Sequence, residues 1–223
     1  MKIEFYNDDP AIVEFFSPKP ANKIVPDWYK ELPMQIVKSA EKVNVPTIKH
    51  CMPVQDMITS GYIIFNPYET HLIPNKNHLG YDDFLSKCPH KPHVGGHHHL
   101  QWPLEINGKN NNYFKIGNSW LVRTPPGYSC LFIQPFYQME ERYQMLPAIV
   151  DTDQHDMTIE FPGYLLTDKT VTLQPGDPLM QIIPFKRDDW EMIVEQQPKK
   201  RSLLEFYWES AYRRVFHTKK SFR

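Results

Sequence analysis

No stretch of this 223-residue chain approaches the roughly 18 consecutive apolar residues of a membrane-spanning helix. Its first residues, Met1-Lys2-Ile3-Glu4-Phe5, carry an acid and no apolar signal core. Membrane insertion and export are therefore not expected, and a cytoplasmic location is. Cysteine is scarce: Cys51, Cys88 and Cys130 are odd in number, widely spaced and free of any C-x-x-C pattern. That excludes a disulfide framework and a thiolate zinc knuckle, and it fits a reducing compartment. A net charge is all but missing, at -1, so no global field draws the chain to nucleic acid or to an anionic membrane. Glycine is sparse as well, at nine residues against 21 prolines, and proline is barred from helix interiors and central ladders. Long helices are excluded over most of the sequence.

What remains is enough to build a core, since 41% of residues are hydrophobic and 13% aromatic. The length suits one large β domain spanning residues 1–223. Within it, residues 1–47 read as an extended N-terminal arm bearing Pro10, Pro18, Pro20, Pro26 and Pro33. A short helix is predicted there over Asp27–Leu32, with Pro26 at its first position. A β-rich core follows over 48–186. It opens with a helix over Pro53–Ser60, Gly61 as its stop, and a strand over Tyr62–Phe65. Seven further strands are predicted at Tyr113–Ile116, Trp120–Arg123, Ser129–Gln134, Ala148–Asp151, Thr158–Phe161, Val171–Leu173 and Leu179–Pro184, separated by turn signals. Strands at that density predict a mainly β fold, a single barrel or sandwich. The final segment, 187–223, changes character. Ser202 and Glu205 form a capping box, and Leu204, Trp208, Ala211 or Tyr212, and Val215 recur at helical spacing, predicting an amphipathic helix over 202–217.

Half of the ten histidines fall in His90-Lys91-Pro92-His93-Val94-Gly95-Gly96-His97-His98-His99. In an extended strand His97 and His99 share one side, about 7 Å apart. With His93 or Glu105 they form a candidate site for a divalent transition metal. The pattern H-x-H followed by Glu105 resembles the first half of the cupin metal motif. Five residues including Pro103 intervene before the acid, however, and Gln181 stands where a later cupin histidine would be. The competing reading is an exposed His/Gly/Pro-rich loop, and under it no cofactor is expected.

A second constellation is Ala148-Ile149-Val150-Asp151-Thr152-Asp153, followed by Pro175-Gly176-Asp177-Pro178-Leu179-Met180-Gln181-Ile182-Ile183. A strand ending in acids at i and i+2 places both carboxylates on one side of the pleat. Two such acids can share a proton or hold a hydroxyl, a water or a metal. These segments, together with Arg123-Thr124-Pro125-Pro126-Gly127-Tyr128, resemble the barrel strands of the dUTPase and dCTP deaminase superfamily (the β-clip fold) over residues 114–185. The resemblance implies that Asp151 is the catalytic aspartate, which positions the attacking water and a sugar hydroxyl, and that Asp153 is the second acid. The family's phosphate-binding segment is replaced near Gln134-Pro135-Phe136-Tyr137, and Gln154 stands where the family has a stacking tyrosine. A dUTPase-like fold without dUTP hydrolysis is the expectation that follows. Arg123, Asp151, Asp153 and Gln181 form the candidate ligand-binding set, and pairing of Arg123 with Asp151 or Asp153 is the structural alternative. Ser129 and Cys130 lack a nucleophile context.

Over its whole length the sequence also resembles a family common in marine bacteriophages and some bacteria, to which no activity is assigned. Pro26-Asp27-Trp28-Tyr29 and Arg123-Thr124-Pro125-Pro126-Gly127-Tyr128-Ser129 carry that likeness. It implies a phage-type protein of the host cytoplasm or the virion. Three functions stay open: a soluble β-barrel ligand-binding protein, a cupin-like metal-dependent enzyme, and a virion structural or assembly protein. In the last, a homo-oligomer would exchange its arm and final helix, anchored by Trp28, Trp190 and Trp208.

Overall fold

The computed structural model describes residues 1–38, 43–74, 94–96, 113–196 and 211–223. Antiparallel pairing joins every strand to its neighbours. Two sheets frame the interior. The first runs in the order β12 (Ala148–Val150), β10 (Tyr128–Ile133), β15 (Pro178–Lys186), β5 (Tyr62–Phe65), β2 (Lys19–Pro20). The second runs β11 (Tyr143–Met145), β13 (Glu160–Leu165), β8 (Tyr113–Gly117), β7 (Val94–Gly96). Three two-stranded ribbons complete the set: β1 (Glu4–Tyr6) with β9 (Leu121–Arg123), β6 (Thr70–Leu72) with β14 (Val171–Leu173), and β3 (Gln35–Lys38) with β4 (Val43–Pro46). The architecture is mainly β, as the sequence pattern predicts, but among the described residues no sheet closes into a barrel.

Alternation along the strands explains how the sheets share one core. Phe161, Gly163 and Leu165 of β13 turn inward while Pro162 and Tyr164 lie nearer the surface. The Phe161 ring meets Phe132 of β10 with centroids 5.8 Å apart, and Ile64, Ile182, Phe114, Ile116 and Met145 belong to the same buried cluster. β5 is covered on both faces. Ile64 enters this core, while Ile63 and Phe65 pack with Ala21 of the N-terminal segment. The same segment is tied down by Ala21 N–H donating to the Gly61 carbonyl at 2.9 Å and by the Trp28 indole donating to the Tyr137 carbonyl at 2.8 Å.

After the short helices α1 (Pro10–Phe15) and α2 (Asp27–Glu31), the helix-stop-strand reading of residues 53–65 matches α3 (Met52–Thr59) followed by β5. Gly61 sits at φ +73°, and a Cβ there would lie 1.9 Å from the Ile182 carbonyl oxygen, so only glycine lets α3 turn into β5 beside β15. Asp27–Glu31 is helical, with Pro26 as its N-cap rather than its first residue. β13 begins later than predicted and continues through Pro162 and Gly163. β15 runs two residues past Pro184. The pairing of β15 with β5 has ended by Ile182, so one edge of β15 is open at Pro184 and a proline is tolerated there.

The helix predicted over 202–217 falls partly outside the described residues. Within them, Ala211 is followed by a π-helical turn over Tyr212–Phe216. The chain end beyond it lies on α3 and β5. Asp56 accepts from His217 Nε2 at 3.0 Å and from Lys220 Nζ at 2.5 Å, and the Phe222 ring meets Tyr62 edge-on. No helix of the described residues is long and apolar enough to cross a membrane.

Candidate functional site

Three strand ends meet where β10 begins. β10 pairs with β12 in the register Cys130↔Val150, which sets Asp151, one residue beyond β12, opposite Ser129. It pairs with β15 in the register Tyr128↔Lys186, which sets Arg187 opposite Gly127, and Arg187 N–H donates to the Gly127 carbonyl at 2.8 Å. Gly127 belongs to the turn between β9 and β10. Tyr128 N–H donates to the Pro125 carbonyl at 3.2 Å and Gly127 takes φ +84°, an arrangement that proline followed by glycine favours.

The two acids converge here, although not by alternation along a strand. β12 ends at Val150, and the chain turns so that the N–H groups of Gln154 and His155 both donate to the Asp151 carbonyl at 2.9 Å. Asp153 is thereby carried inward. Its Oδ1 accepts from Arg187 Nη1 at 2.7 Å, and its Oδ2 accepts from Arg187 Nη2 at 2.5 Å and from Gly127 N–H at 2.8 Å. The Asp153 side chain is only 5% exposed. The arginine's hydrogen bonds, aided by the Gly127 N–H, hold its carboxyl below the ordinary carboxylate range against the opposing effect of burial.

Asp151 differs. Its Oδ1 accepts from Ser129 Oγ at 2.6 Å and lies 3.1 Å from Arg187 Nη1, while its Oδ2 has no protein partner among the described residues. Its side chain is 56% exposed. Ser129 is fully buried, and its hydroxyl is bracketed by Asp151 and by Arg187 Nη1 at 3.1 Å, so it orients the carboxylate from below. Thr124 and Thr152, joined hydroxyl to hydroxyl at 2.7 Å, tie the Pro-Pro-Gly turn to the acid turn. Cys130 beneath them is buried, which pushes its thiol up to about 11 and leaves it unreactive.

The other members of the predicted ligand-binding set lie elsewhere. Arg123 does not pair with Asp151 or Asp153. It forms an ion pair with Asp156, its Nε donating at 3.1 Å, and its guanidinium sits over the Tyr6 ring. It belongs to the exposed end of β9, whose neighbour is β1 rather than β12. Gln181 is buried in β15 and donates to the carbonyls of Met57 and Ser60 at 2.8 and 2.7 Å, closing the end of α3. Arg187 is not among the residues that the sequence pattern singles out, because that pattern ends the strand at Pro184 and β15 runs to Lys186. The basic pair Lys186-Arg187 directly after an apolar strand was the available signal. The predicted metal ligands His93, His97, His99 and Glu105 lie outside the described residues, as does all of the His90–His99 run except β7. Among the described residues no three His, Cys, Asp or Glu side chains are placed to hold a metal ion.

At the far end of β10, a cleft of about 170 Å³ is lined by Gln134, Glu140, Arg142, Tyr143 and Asp177, among others. Arg142 is engaged by Glu140 through Nε at 2.8 Å and Nη2 at 2.7 Å. The arginine's hydrogen bonds hold the half-buried Glu140 carboxyl below its usual range against burial, which by itself would raise it.

No protein-family model matches the chain, and no curated protein does. Solved structures to which it is similar include the dUTPase of EIAV, at TM-score 0.37 and 12% identity over 64% of this chain and 84% of that one. They also include a mutant dUTPase from phage phi11 of S. aureus, at TM-score 0.36 and 12% identity over 64% and 84%. A third is a mutant dUTPase of Staphylococcus bacteriophage 80alpha with dUpNHpp, at TM-score 0.35 and 11% identity over 65% and 80%. The likeness is distant and concerns architecture alone. None of these matches supports the marine bacteriophage family.

Proposed function

We propose that the chain is a ligand-binding protein whose ligand-facing group is Asp151, which accepts a hydrogen bond from a hydroxyl of a small sugar-bearing molecule, and that it does not hydrolyse dUTP. One observation carries this reading. Of the two acids brought together by the strand ends, Asp153 spends its oxygens on Arg187 and Gly127, whereas Asp151 keeps one oxygen exposed and unengaged among the described residues. A carboxylate fixed on one oxygen by Ser129 and Arg187 presents its other oxygen at little further entropic cost. The likeness of Ala148–Asp153 to the superfamily's aspartate strand agrees with a sugar hydroxyl as the contacted group.

The charge around the site argues against a triphosphate. Arg187 is neutralised by two carboxylates and Arg142 by Glu140, so neither guanidinium offers an unopposed positive charge to phosphate oxygens. Calorimetric titration with deoxyuridine, and incubation with dUTP or dCTP and magnesium, test both halves. Nucleoside binding that is lost in Asp151→Asn, with no nucleotide turnover in either protein, is the expected result. Turnover abolished by Asp151→Asn overturns the non-hydrolytic half, and nucleoside binding untouched by that substitution overturns the assignment of Asp151.

A further inference from the structure

After Arg187 the chain leaves the sheet, and every residue from 188 to 196 is exposed. The segment Asp188-Asp189-Trp190-Glu191-Met192-Ile193-Val194-Glu195-Gln196 is not polar. Trp190 is 90%, Met192 86%, Ile193 71% and Val194 83% exposed. In an extended chain Trp190, Met192 and Val194 share one side, and Glu191, Ile193 and Glu195 the other. A soluble chain does not leave four large apolar side chains adjacent and open to water without something to cover them.

A second unpartnered surface lies on the same chain. The β3–β4 ribbon pairs with no third strand among the described residues, and a lone two-stranded ribbon is at best marginally stable in water. Its register Ile36↔Val45 and Lys38↔Val43 puts Ile36, Val43 and Val45 on one face beside Lys38, and Ile36 and Val43 are half-exposed. The outer edge of β3 contains no proline, so its backbone groups can pair with another strand. The charges complement one another. Residues 188–196 carry Asp188, Asp189, Glu191 and Glu195 and no base, whereas residues 35–46 carry Lys38 and Lys42 against Glu41 alone.

We propose that residues 189–195 of one copy add as a strand to the outer edge of β3 in a second copy of this chain, with Trp190, Met192 and Val194 extending the apolar face of Ile36, Val43 and Val45. Backbone pairing supplies the attachment, and the alternate apolar side chains supply register and selectivity. The four acids of the arm disfavour arm against arm and favour the weakly basic ribbon. Each copy therefore gives one arm and receives another.

Sedimentation of the full chain over a concentration series reads this directly. Reversible association is expected, weakening at high salt. Trp190→Ala raises its dissociation constant at least about tenfold, as for a central aromatic anchor, and Ile36→Asp does the same. Both positions are exposed, and unchanged circular dichroism shows that both variants stay folded. The two variants mixed give a complex that neither forms alone, because the intact arm of Ile36→Asp meets the intact ribbon of Trp190→Ala. A monomer at every concentration overturns the proposal. So does association indifferent to either substitution, or a mixture that stays monomeric, which would mean that like surfaces meet like.

Discussion

β15 and the nine residues after it are adjacent in sequence and both carry large apolar side chains, yet those side chains are opposite in fate. Met180 and Ile182 are fully buried, while Met192 and Ile193 are almost wholly exposed. Side-chain type does not separate Met180 from Met192 or Ile182 from Ile193; neighbours do. β15 has β10 along one edge and β5 along the other, so its inward side chains have a second sheet to meet. The later segment has lost both neighbours. The boundary is Arg187, whose backbone makes the last bond to the β9–β10 turn and whose guanidinium is held by Asp153 and Asp151. A sheet end locked by a charge cluster thus divides a packed strand from an unpacked one.

The sharpest break of that contrast comes from Gly61→Ala. A methyl group there lies 1.9 Å from a β15 carbonyl at a backbone angle that side chains resist, so β5 must move away from β15. Destabilisation of about 4 kcal/mol or more is expected in urea titration, with loss of soluble protein as the extreme. Next, Ile182→Ala should cost about 2–5 kcal/mol, because the cavity forms in a dense core. Ile193→Ala, the same change eleven residues on, should stay within about 0.5 kcal/mol in dilute protein. Equal effects from the two would erase the distinction between the segments.

The smallest effect tests the boundary. Because the folded-state pKa of Asp153 is depressed, its contribution is present above the unfolded value, near pH 4, and is lost as pH falls below that toward the folded value. Arg187→Gln removes the cause of the depression. Stability at neutral pH then drops, and its decline below about pH 4 becomes shallower, as urea midpoints measured at pH 7, 4 and 3 would show. An unchanged acid profile would mean that the cluster does not secure the end of β15.

Much of this was legible in order along the chain. The strand at Tyr62–Phe65, the strand at Val171–Leu173 and the stop at Gly61 are local patterns, and local sterics decide them. The acids Asp151 and Asp153 were visible as a pair for the same reason. Their unequal roles were not, since these depend on Arg187, which is 34 positions from Asp153 and is brought to it by antiparallel register. Arg123 looked equivalent in sequence, but pairing with β1 placed it beside Asp156 instead.

The sequence by itself determined the strand-rich class, the places where backbone must turn, and the residue types available for a site, because each follows from interactions between near neighbours in the chain. Tertiary structure alone decided which arginine meets which acid, which of two acids stays exposed, and which of two apolar segments is buried. Those outcomes depend on strand register and on the neighbours that register supplies, and a one-residue shift in register turns every side chain to the opposite face.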